Sequence, residues 1–402
     1  MRQTTVAQTS LTAALVACAI LTGCGSKSET PPPPAAPATP PAPAVEPLVA
    51  IEAPANLNAA KVALGRRLFH DPILSRDNTL SCASCHSLDT GGAEHRTTST
   101  GVGGFIGPIN SPTVLNSSLN FVQFWDGRAR TLEDQAVGPI GNPGEMGSTV
   151  EAAVAALQAK PEYVQLFAAS YPDGINAANL ANAIAEYERS LITPSPFDAF
   201  LGGNQTAISD QAKRGYEAFK SVGCTACHAG RAVGGAMYQK MGLVRNYFEL
   251  RGTPLTDADN GRFNATHDEG DRHMFKVPTL RNIALTAPYF HDGSQQTLEA
   301  AVKTMGQVQL GRELTDAQIA DIVAFLGTLT GELPAGARPT PDELRPTAPV
   351  PGDSGDTAPP THSGFSGISG EHTGGARSGL DGPSGAFGRG GLGTSGTGAA
   401  GS

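Results

Sequence analysis

The sequence contains the pattern Cys-x-x-Cys-His twice, as CASCH at residues 82–86 and CTACH at residues 224–228. Two thiols at this spacing reach the two vinyl groups of a porphyrin, and the adjacent imidazole meets its iron, so the pattern is typical of c-type haem attachment. A zinc or redox CxxC site followed by a chance histidine is the alternative. Two copies favour haem, with His86 and His228 as iron ligands. The chain must therefore fold around two flat, largely apolar groups.

The use of the six cysteines agrees with this interpretation. Cys18 lies in a stretch that resembles a removable signal peptide and Cys24 in a sequence that resembles a lipidation site, so no cysteine remains for a disulfide once both motifs are filled. The predicted cofactors are two covalently bound haem c groups. Their attachment residues are Cys82, Cys85, Cys224 and Cys227.

Both ends of the chain differ in composition from the middle. Residues 1–23 resemble a signal peptide, since their apolar run is too short to span a bilayer. The run ends in Leu-Thr-Gly-Cys, which resembles a bacterial lipobox with Cys24 as the lipidated residue; a chance cysteine after an ordinary signal peptide is the alternative. We expect residues 24–56 to form a lipidated Pro/Ala-rich tether and residues 346–402 a disordered Gly/Ser-rich tail. The protein is then an exported lipoprotein on the periplasmic face of a bacterial membrane, and Gly25 favours the outer membrane.

The middle of the chain has apolar residues at helical spacing and no convincing set of alternating strands. A predicted helix precedes each cysteine motif. The sequence therefore predicts a mainly α fold with two cytochrome c-like domains, residues 57–195 and 196–345. The clearest predicted helices are Lys61–Phe69, Asn176–Leu191, Asp210–Lys220 and Thr315–Leu329. Thr315 is the expected N-cap of the last of these helices.

The formal net charge of the chain is −9. No cluster of lysine and arginine resembles a nucleic-acid-binding surface, so no nucleic-acid partner is expected. A mildly acidic surface fits a basic protein partner.

Each histidine-bound iron has a second axial position, and a methionine there raises the reduction potential. Met305 lies 77 residues after His228 and just before the predicted helix that begins near Thr315. This late position is typical of cytochrome c methionine loops, so spacing favours Met305 without excluding the others. The other methionines after the second motif are Met237, Met241 and Met274.

Several longer segments carry a resemblance to a known family. They include LGRRLFHDPILS (64–75), GPINSPTVLN (107–116), FWDGRARTLEDQAVGPIGNPGEM (124–146), FKVPTLRNIALTAPYFHDGS (275–294) and AVKTMGQVQLG (301–311). With the two cysteine motifs, they resemble the bacterial dihaem cytochrome c peroxidases, within the wider family of MauG-like proteins. The resemblance covers nearly all of residues 57–330.

The resemblance implies different roles for the two haems. The haem at His86 is expected to be peroxidatic, and the haem at His228, with Met305 as its second ligand, is expected to relay electrons at high potential. MauG-like enzymes have a tyrosine in place of this methionine. The tryptophan between the haems of the family corresponds to Trp125, the only tryptophan of the chain.

The resemblance also implies residues for proton transfer and calcium binding. Glu145 corresponds to the carboxylate above the peroxidatic iron, which takes a proton from one peroxide oxygen and returns it to the other. Gln135 corresponds to its hydrogen-bonding neighbour. A calcium ion between the domains is expected on the side chain of Asn110 and the backbone carbonyls of Thr286 and Pro288, which are oxygen donors suited to a hard cation.

One position departs from the family pattern. In many members a second histidine binds the oxidised peroxidatic iron, and reduction of the other haem releases it. Alignment of Gly91-Gly92 and GPIN places Val102 at this position, and valine has no lone pair for iron. Either His95 replaces the ligand from a shifted loop, or the peroxide site is open at rest. We expect an open site, with His95 in a solvated loop.

The sequence thus predicts a dihaem cytochrome c peroxidase that reduces H2O2. Its electron donor is expected to be a periplasmic small cytochrome c, a cupredoxin or a quinol-linked protein, and the resemblance alone implies a homodimer. One alternative is a MauG-like oxidase acting on a protein, which Met305 disfavours. The other is a non-catalytic electron-transfer cytochrome, which Glu145 and Gln135 disfavour.

Overall fold

The helices expected before the cysteine motifs both form in the computed structural model, which describes residues 46–343. The predicted signal peptide, Cys24 and the predicted tail lie outside these residues. Among the described residues the fold is mainly α, as predicted, with eight single-turn 3-10 helices in the loops. The α-helices are α1 Ala59–His70, α2 Cys82–Cys85, α3 Leu132–Gly141, α4 Val150–Gln158, α5 Pro161–Ser170, α6 Ala177–Ser190, α7 Pro196–Leu201, α8 Asp210–Val222, α9 Tyr247–Arg251, α10 Phe263–Thr266, α11 Leu298–Leu310 and α12 Asp316–Gly327.

A small sheet lies in the C-terminal half. Its two antiparallel strands are β1 Tyr238–Lys240 and β2 Met274–Lys276, and Tyr238 lies opposite Lys276. No helix within residues 46–343 combines the length and the apolar character that a bilayer crossing needs.

The N-terminal domain is built on the crossing of α1 and α6. Each helix starts where an asparagine side chain accepts hydrogen bonds from free backbone N–H groups, Asn58 for α1 and Asn176 for α6. Gly65 lies where the backbones meet, since a Cβ there would overlap the carbonyl oxygen of Ala183. Glycine in a helix interior costs about 1 kcal/mol. That cost is offset here by the close approach that buries Leu68 completely.

The C-terminal domain repeats this arrangement with α8 and α12. Gly215 of α8 lies against Asp321 of α12, where a Cβ would again overlap a backbone carbonyl oxygen. Thr315 caps α12 by accepting a hydrogen bond from the N–H of Gln318, whose side chain bonds back to Thr315. The predicted N-cap is confirmed. In each domain, the helix before the cysteine motif carries a glycine, and this glycine allows close packing against a second helix.

A second repeated segment follows each motif, and its matching residues are 166 positions apart. Asn116 and Asn282 both adopt the left-handed backbone conformation, with φ of 60° and 61°. Asparagine tolerates this conformation better than most residues. The related turns FWDG and FHDG follow, and then Thr131 and Thr297 cap α3 and α11. The same loop, turn and helix are therefore built once in each domain.

Each end of the described chain packs on the opposite domain. Leu48 is buried in the C-terminal core and pairs with Gly230 in a short parallel bridge. At the other end, Ala337 joins the N-terminal core, and its carbonyl accepts a hydrogen bond from the hydroxyl of Tyr187. Because Leu48 has apolar surface to bury, the predicted tether, residues 24–56, is too long at its carboxyl end.

A buried ion pair lies where the segment around Ile51 meets the start of α7. Arg281 donates two hydrogen bonds of 2.9 Å to Asp198, and the two side chains are only 0 % and 6 % exposed. Asp198 also accepts from the backbone N–H groups of Ile51 and Ser195. Burial alone would raise the pKa of Asp198, but the bonds from Arg281 hold it below its usual value.

Arg281→Met should lower the free energy of unfolding by about 3–5 kcal/mol, because it leaves the Asp198 carboxylate buried without its partner. Arg214→Met is the matched control. Arg214 pairs with Asp321 at the surface, where such a pair contributes at most about 1 kcal/mol. Urea unfolding of the haem-loaded protein, followed by circular dichroism, measures both variants. Equal losses would contradict a special role for the buried pair.

Candidate active site

The second cysteine motif begins where α8 ends, at Gly223 in the left-handed conformation. The Nδ1 of His228 lies 3.2 Å from the carbonyl oxygen of Val233. With Nδ1 as the donor of this bond, the ring presents Nε2 as an iron ligand. Burial lowers the pKa of His228 to about 4, so the imidazole stays neutral and able to bind a metal.

His228 lines a cavity of about 220 Å³. Cys224 and Cys227 line it as well, and both are free thiols. A c-type haem requires two thiols, a neutral imidazole and an apolar slot, so the residues present fit this group. The hydrophobic lining includes Phe219, Leu298, Val302, Ile322 and Leu326.

Two methionines line this cavity, Met305 and Met241. Met305 lies on helix α11 and Met241 follows β1, and both pack in one cluster with Tyr247 and Phe275. The structure therefore keeps Met305 as a candidate ligand and adds Met241 as its competitor. The preference for Met305 stays a prediction.

The first motif has the same local geometry. Helix α2 contains both cysteines, Cys82 and Cys85, which are free thiols. The Nδ1 of His86 lies 3.3 Å from the carbonyl oxygen of Gly92. Burial lowers the pKa of His86. A neutral, fixed imidazole beside two thiols fits a second covalent haem.

Glu145 lies in the loop that follows α3. Its carboxylate accepts a hydrogen bond of 2.8 Å from the side-chain amide of Asn142. Asn142 also holds the loop by accepting from the backbone N–H of Gly144. Burial raises the pKa of Glu145, against the opposing effects of Arg128 and Asn142. A carboxyl group with a raised pKa is suited to accept and release a proton near neutral pH.

The sequence analysis missed Asn142. The stretch GNPGEM contains a signal for it, because an asparagine before Pro-Gly forms turns and bonds to the backbone two residues on. Gln135, the predicted neighbour of Glu145, lies on α3, and its side chain forms no hydrogen bond within residues 46–343. Asn142 therefore holds the place on Glu145 that was expected for Gln135, since it lies in the same tight turn. A role of Gln135 towards substrate stays a prediction.

The repeated segment identifies another residue that the sequence analysis missed. Pro139 of α3 lies 166 residues before Met305 of α11, which is the spacing of the matching pairs. Where the C-terminal domain has a thioether, the N-terminal domain has a proline side chain that cannot bind iron. The sequence carried this signal, because FWDG and FHDG are both followed by Thr-Leu-Glu.

The loop that carries Val102 packs on the Glu145 loop. The N–H of Val102 donates to the carbonyl of Glu145 at 2.8 Å, and the Val102 side chain is buried. His95 is exposed, as expected. Its Nε2 lies 2.7 Å from the carbonyl oxygen of Leu285 in the C-terminal domain. His95 is thus engaged with the opposite domain.

Trp125 connects the two domains. Its indole N–H donates to the carbonyl of Asn110 at 2.9 Å, and its carbonyl accepts from the backbone N–H of Lys276 at 2.8 Å. The rings of Phe275 and His291 each meet it at steep angles, with centroids 6.4 Å away. Trp125 also lines the cavity of His228, and its place between the two haems stays a prediction.

The residues expected to bind calcium line the same cavity: Asn110, Thr286 and Pro288. The side-chain nitrogen of Asn110 donates to the carbonyl of Arg96 at 2.9 Å. Because the nitrogen is engaged in this bond, the side-chain oxygen of Asn110 is the atom available to a cation. The structure brings the expected donors to one cavity, and the ion itself stays a prediction.

A buried charged network that the sequence analysis missed lies behind Trp125. The Nε2 of His291 lies 2.8 Å from Asp259, and Arg251 lies 2.7 Å from Asp259 and 2.8 Å from Asp292. His291 and the two aspartates are close enough to resemble a metal site. Arg251 pairs with both carboxylates, so both already have a cationic partner within the chain.

Comparison with known proteins agrees with this geometry. Residues 59–206 match the family model of the di-haem cytochrome c peroxidases, and residues 212–330 match that of cytochrome c. The cytochrome c551 peroxidase of Nitrosomonas europaea is 49 % identical over 279 residues, which are 69 % of this chain and 82 % of that protein. The chain belongs to the di-haem cytochrome c peroxidase family.

The chain is also similar to a second curated protein and to a solved structure. The cytochrome c peroxidase Ccp of Escherichia coli (strain K12) is 50 % identical over 276 residues, or 68 % of this chain, and the chain spans 59 % of that protein's length. The crystal structure of a MauG-like protein associated with microbial copper homeostasis aligns with a TM-score of 0.61 and 29 % identity, over 73 % of this chain and 96 % of that one. Membership confirms the fold of two cytochrome c-like domains and implies two haem c groups.

Met305→His should lower the reduction potential of the haem at His228, because a thioether ligand is lost. Met241→Leu is the matched control, since it keeps the apolar character of the second cavity methionine and should leave the potential unchanged. Spectroelectrochemical titration of the purified variants measures both. A fall in Met241→Leu with no change in Met305→His would identify Met241 as the ligand.

The oxidised protein should contain one high-spin haem, because Val102 and Pro139 cannot bind the iron at His86 and the opposite domain holds His95. Azide should bind without prior reduction, and His95→Ala should leave the optical and EPR spectra unchanged. The opposite finding would be two low-spin haems in the wild type, with a high-spin signal that appears only in His95→Ala. His95 would then be the missing ligand.

Proposed function

We propose that the protein reduces hydrogen peroxide to water with electrons from a redox partner, as a cytochrome c peroxidase. The Glu145 site carries the proposal. It offers a half-buried carboxyl group with a raised pKa, bonded to Asn142, in the domain where Pro139 replaces a methionine. Peroxide reduction needs a proton-transfer group beside an iron with a free position, whereas electron transfer alone needs neither.

Haem bound at His86 supplies the iron that weakens the peroxide O–O bond, and haem bound at His228 supplies stored electrons. The chain's own residues handle the protons. With haem bound at His86, Glu145 would accept a proton from one peroxide oxygen and return it to the other, which would leave as water. Two electrons from the donor and two further protons would convert the remaining oxygen to a second water. Asn142 fixes one carboxylate oxygen, so the other is available for this transfer. Gln135 orients peroxide or water from α3.

Electrons enter near His228 and Met305 and reach the His86 side through the contact region of Trp125. Two features support this route. Trp125 lines the cavity of His228, and its hydrogen bonds to Asn110 and Lys276 hold it against both domains. A fixed aromatic ring shortens the distance that an electron must cross between the two sites.

The finer assignments belong to the same proposal. Calcium is held by the side chain of Asn110 and the carbonyls of Thr286 and Pro288, and it ties the N-terminal GPIN loop to the C-terminal domain. The protein is exported, lipidated at Cys24 and anchored at the periplasmic face of the outer membrane. The donor is a small cytochrome c, a cupredoxin or a quinol-linked protein, and two copies form a homodimer. The lipobox and the family resemblance support these assignments.

A second candidate function is MauG-like oxidation of a protein substrate. The similarity to a MauG-like structure favours it, and Met305 in place of a tyrosine disfavours it. Peroxide consumption with a reduced small cytochrome c as donor separates the two. Rapid donor oxidation supports the peroxidase, whereas peroxide use that depends on an added protein substrate supports the oxidase. Absence of peroxide consumption would indicate an electron-transfer cytochrome.

Glu145→Gln keeps the shape of the side chain but removes the proton acceptor, so peroxide turnover should fall by about 10²–10⁴. Haem content should stay at two per chain. Glu151→Gln, on the exposed first turn of α4, is the matched control and should retain wild-type turnover. Near-wild-type turnover in Glu145→Gln would remove Glu145 from the mechanism.

The pH profile gives a second readout of Glu145. A proton acceptor must be ionised, so turnover falls as the pH drops through its pKa. Because burial raises the pKa of Glu145, this loss should begin above the usual glutamate range. The residual activity of Glu145→Gln should not show this loss at low pH. The reduced donor is kept in excess at every pH, so that its supply does not limit the turnover.

A further inference from the structure

Lys276, the last residue of β2, is a buried ammonium group without a partner. It is 4 % exposed and lines the cavity of His228. Its side chain forms no hydrogen bond or ion pair with the described residues, and burial lowers its pKa to about 8. A buried lysine is unfavourable unless an anion compensates it. Residues 46–343 place no such anion beside it.

The cavity lining limits what this anion is. Among the described residues that line the cavity, Lys276 is the only lysine, arginine, aspartate or glutamate. The other polar lining groups are hydroxyls, amides and imidazoles, such as Asn120, Gln239 and His291. A c-type haem brings two carboxylates with it, and a buried carboxylate needs a cation or several strong donors. The cavity offers one cation and no competing carboxylate.

We propose that Lys276 binds a carboxylate of the haem attached at Cys224 and Cys227 and raises that haem's reduction potential. The inference rests on the second haem site of the proposed function, but not on peroxide turnover. A positive charge in apolar surroundings favours the reduced haem, which carries one positive charge less than the oxidised haem. Lys276 thereby acts in the same direction as a methionine ligand.

The backbone of Lys276 is fixed on both sides. Its N–H donates to the carbonyl of Trp125, and it lies opposite Tyr238 in the two-stranded sheet. The same residue therefore touches the cavity with its side chain and the FWDG turn of the other domain with its backbone. This arrangement fixes the backbone from which the side chain reaches the cavity before haem is attached, so only the side chain must be ordered when the carboxylate arrives.

Lys276→Met removes the charge and keeps most of the side-chain volume. In potentiometric titrations, the equilibrium constant for reduction of the high-potential haem should fall by on the order of tenfold. Lys276→Arg should restore most of the wild-type value. Lys240→Met is the matched control, because Lys240 is exposed in β1 of the same domain and solvent screens its charge. It should leave both haems unchanged.

An unchanged potential in a Lys276→Met protein that holds two haems would overturn the inference and leave the proposed function standing. A wild-type protein that holds one haem would overturn both. If Lys276→Met fails to load haem, the wild type decides the question by NMR with ¹⁵N-labelled lysine side chains. One exchange-protected ammonium signal that shifts when the high-potential haem is oxidised supports the inference, and its absence overturns it.

Discussion

The hydrogen bond from the Trp125 indole to the carbonyl of Asn110 joins the parts on which both candidate haem sites depend. The backbone N–H of Asn110 donates in turn to the carbonyl of His291 at 2.8 Å. One residue of the GPIN loop is therefore bonded to the FWDG turn and to the FHDG turn. The second bond joins backbone atoms alone, whereas the first needs the indole of Trp125, so the connection between the two turns depends on tryptophan at this position.

The chain itself stabilises buried ionisable groups in two different ways. Asp198 has Arg281 as a partner within the chain. Glu188 has no such partner, and burial raises its pKa to about 8, so it stays protonated at neutral pH. Lys276 follows neither solution. Asp198 is paired and Glu188 is protonated, whereas the Lys276 ammonium group has no partner among the described residues.

The sequence was most informative where the structural signal is local. The helices before the cysteine motifs, the cap at Thr315 and the mainly α fold depend on periodicity and on residues three or four positions apart, and all are confirmed. The predicted ligands of the second haem also reach one cavity, because the family segments that carry them are long. The choice between Met241 and Met305 as the second ligand stays open. It depends on how the segment around β1 packs, and residue spacing in the sequence does not determine this packing.

Other features depend on contacts between distant segments. The engagement of His95 with Leu285, and the bond between His291 and Asp259, join residues whose proximity only the folded chain creates. Asn142 and Pro139 are different, because a turn motif and an internal repeat carried both in the sequence. The family resemblance implied a role for Gln135 and a departure at Val102, but it implied nothing for Asn142 or Pro139.

The start of the described chain packs on the C-terminal domain, and this decides where an N-terminal anchor would be attached. The described chain begins beside Gly230, two residues after His228, so anything attached ahead of residue 46 is joined to the protein next to the second haem motif. A stretch of roughly 20 residues between Cys24 and Glu46 spans at most about 70 Å. An acyl anchor at Cys24 would thus join the bilayer to the protein on the side of the His228 domain, and not on the side of the His86 domain.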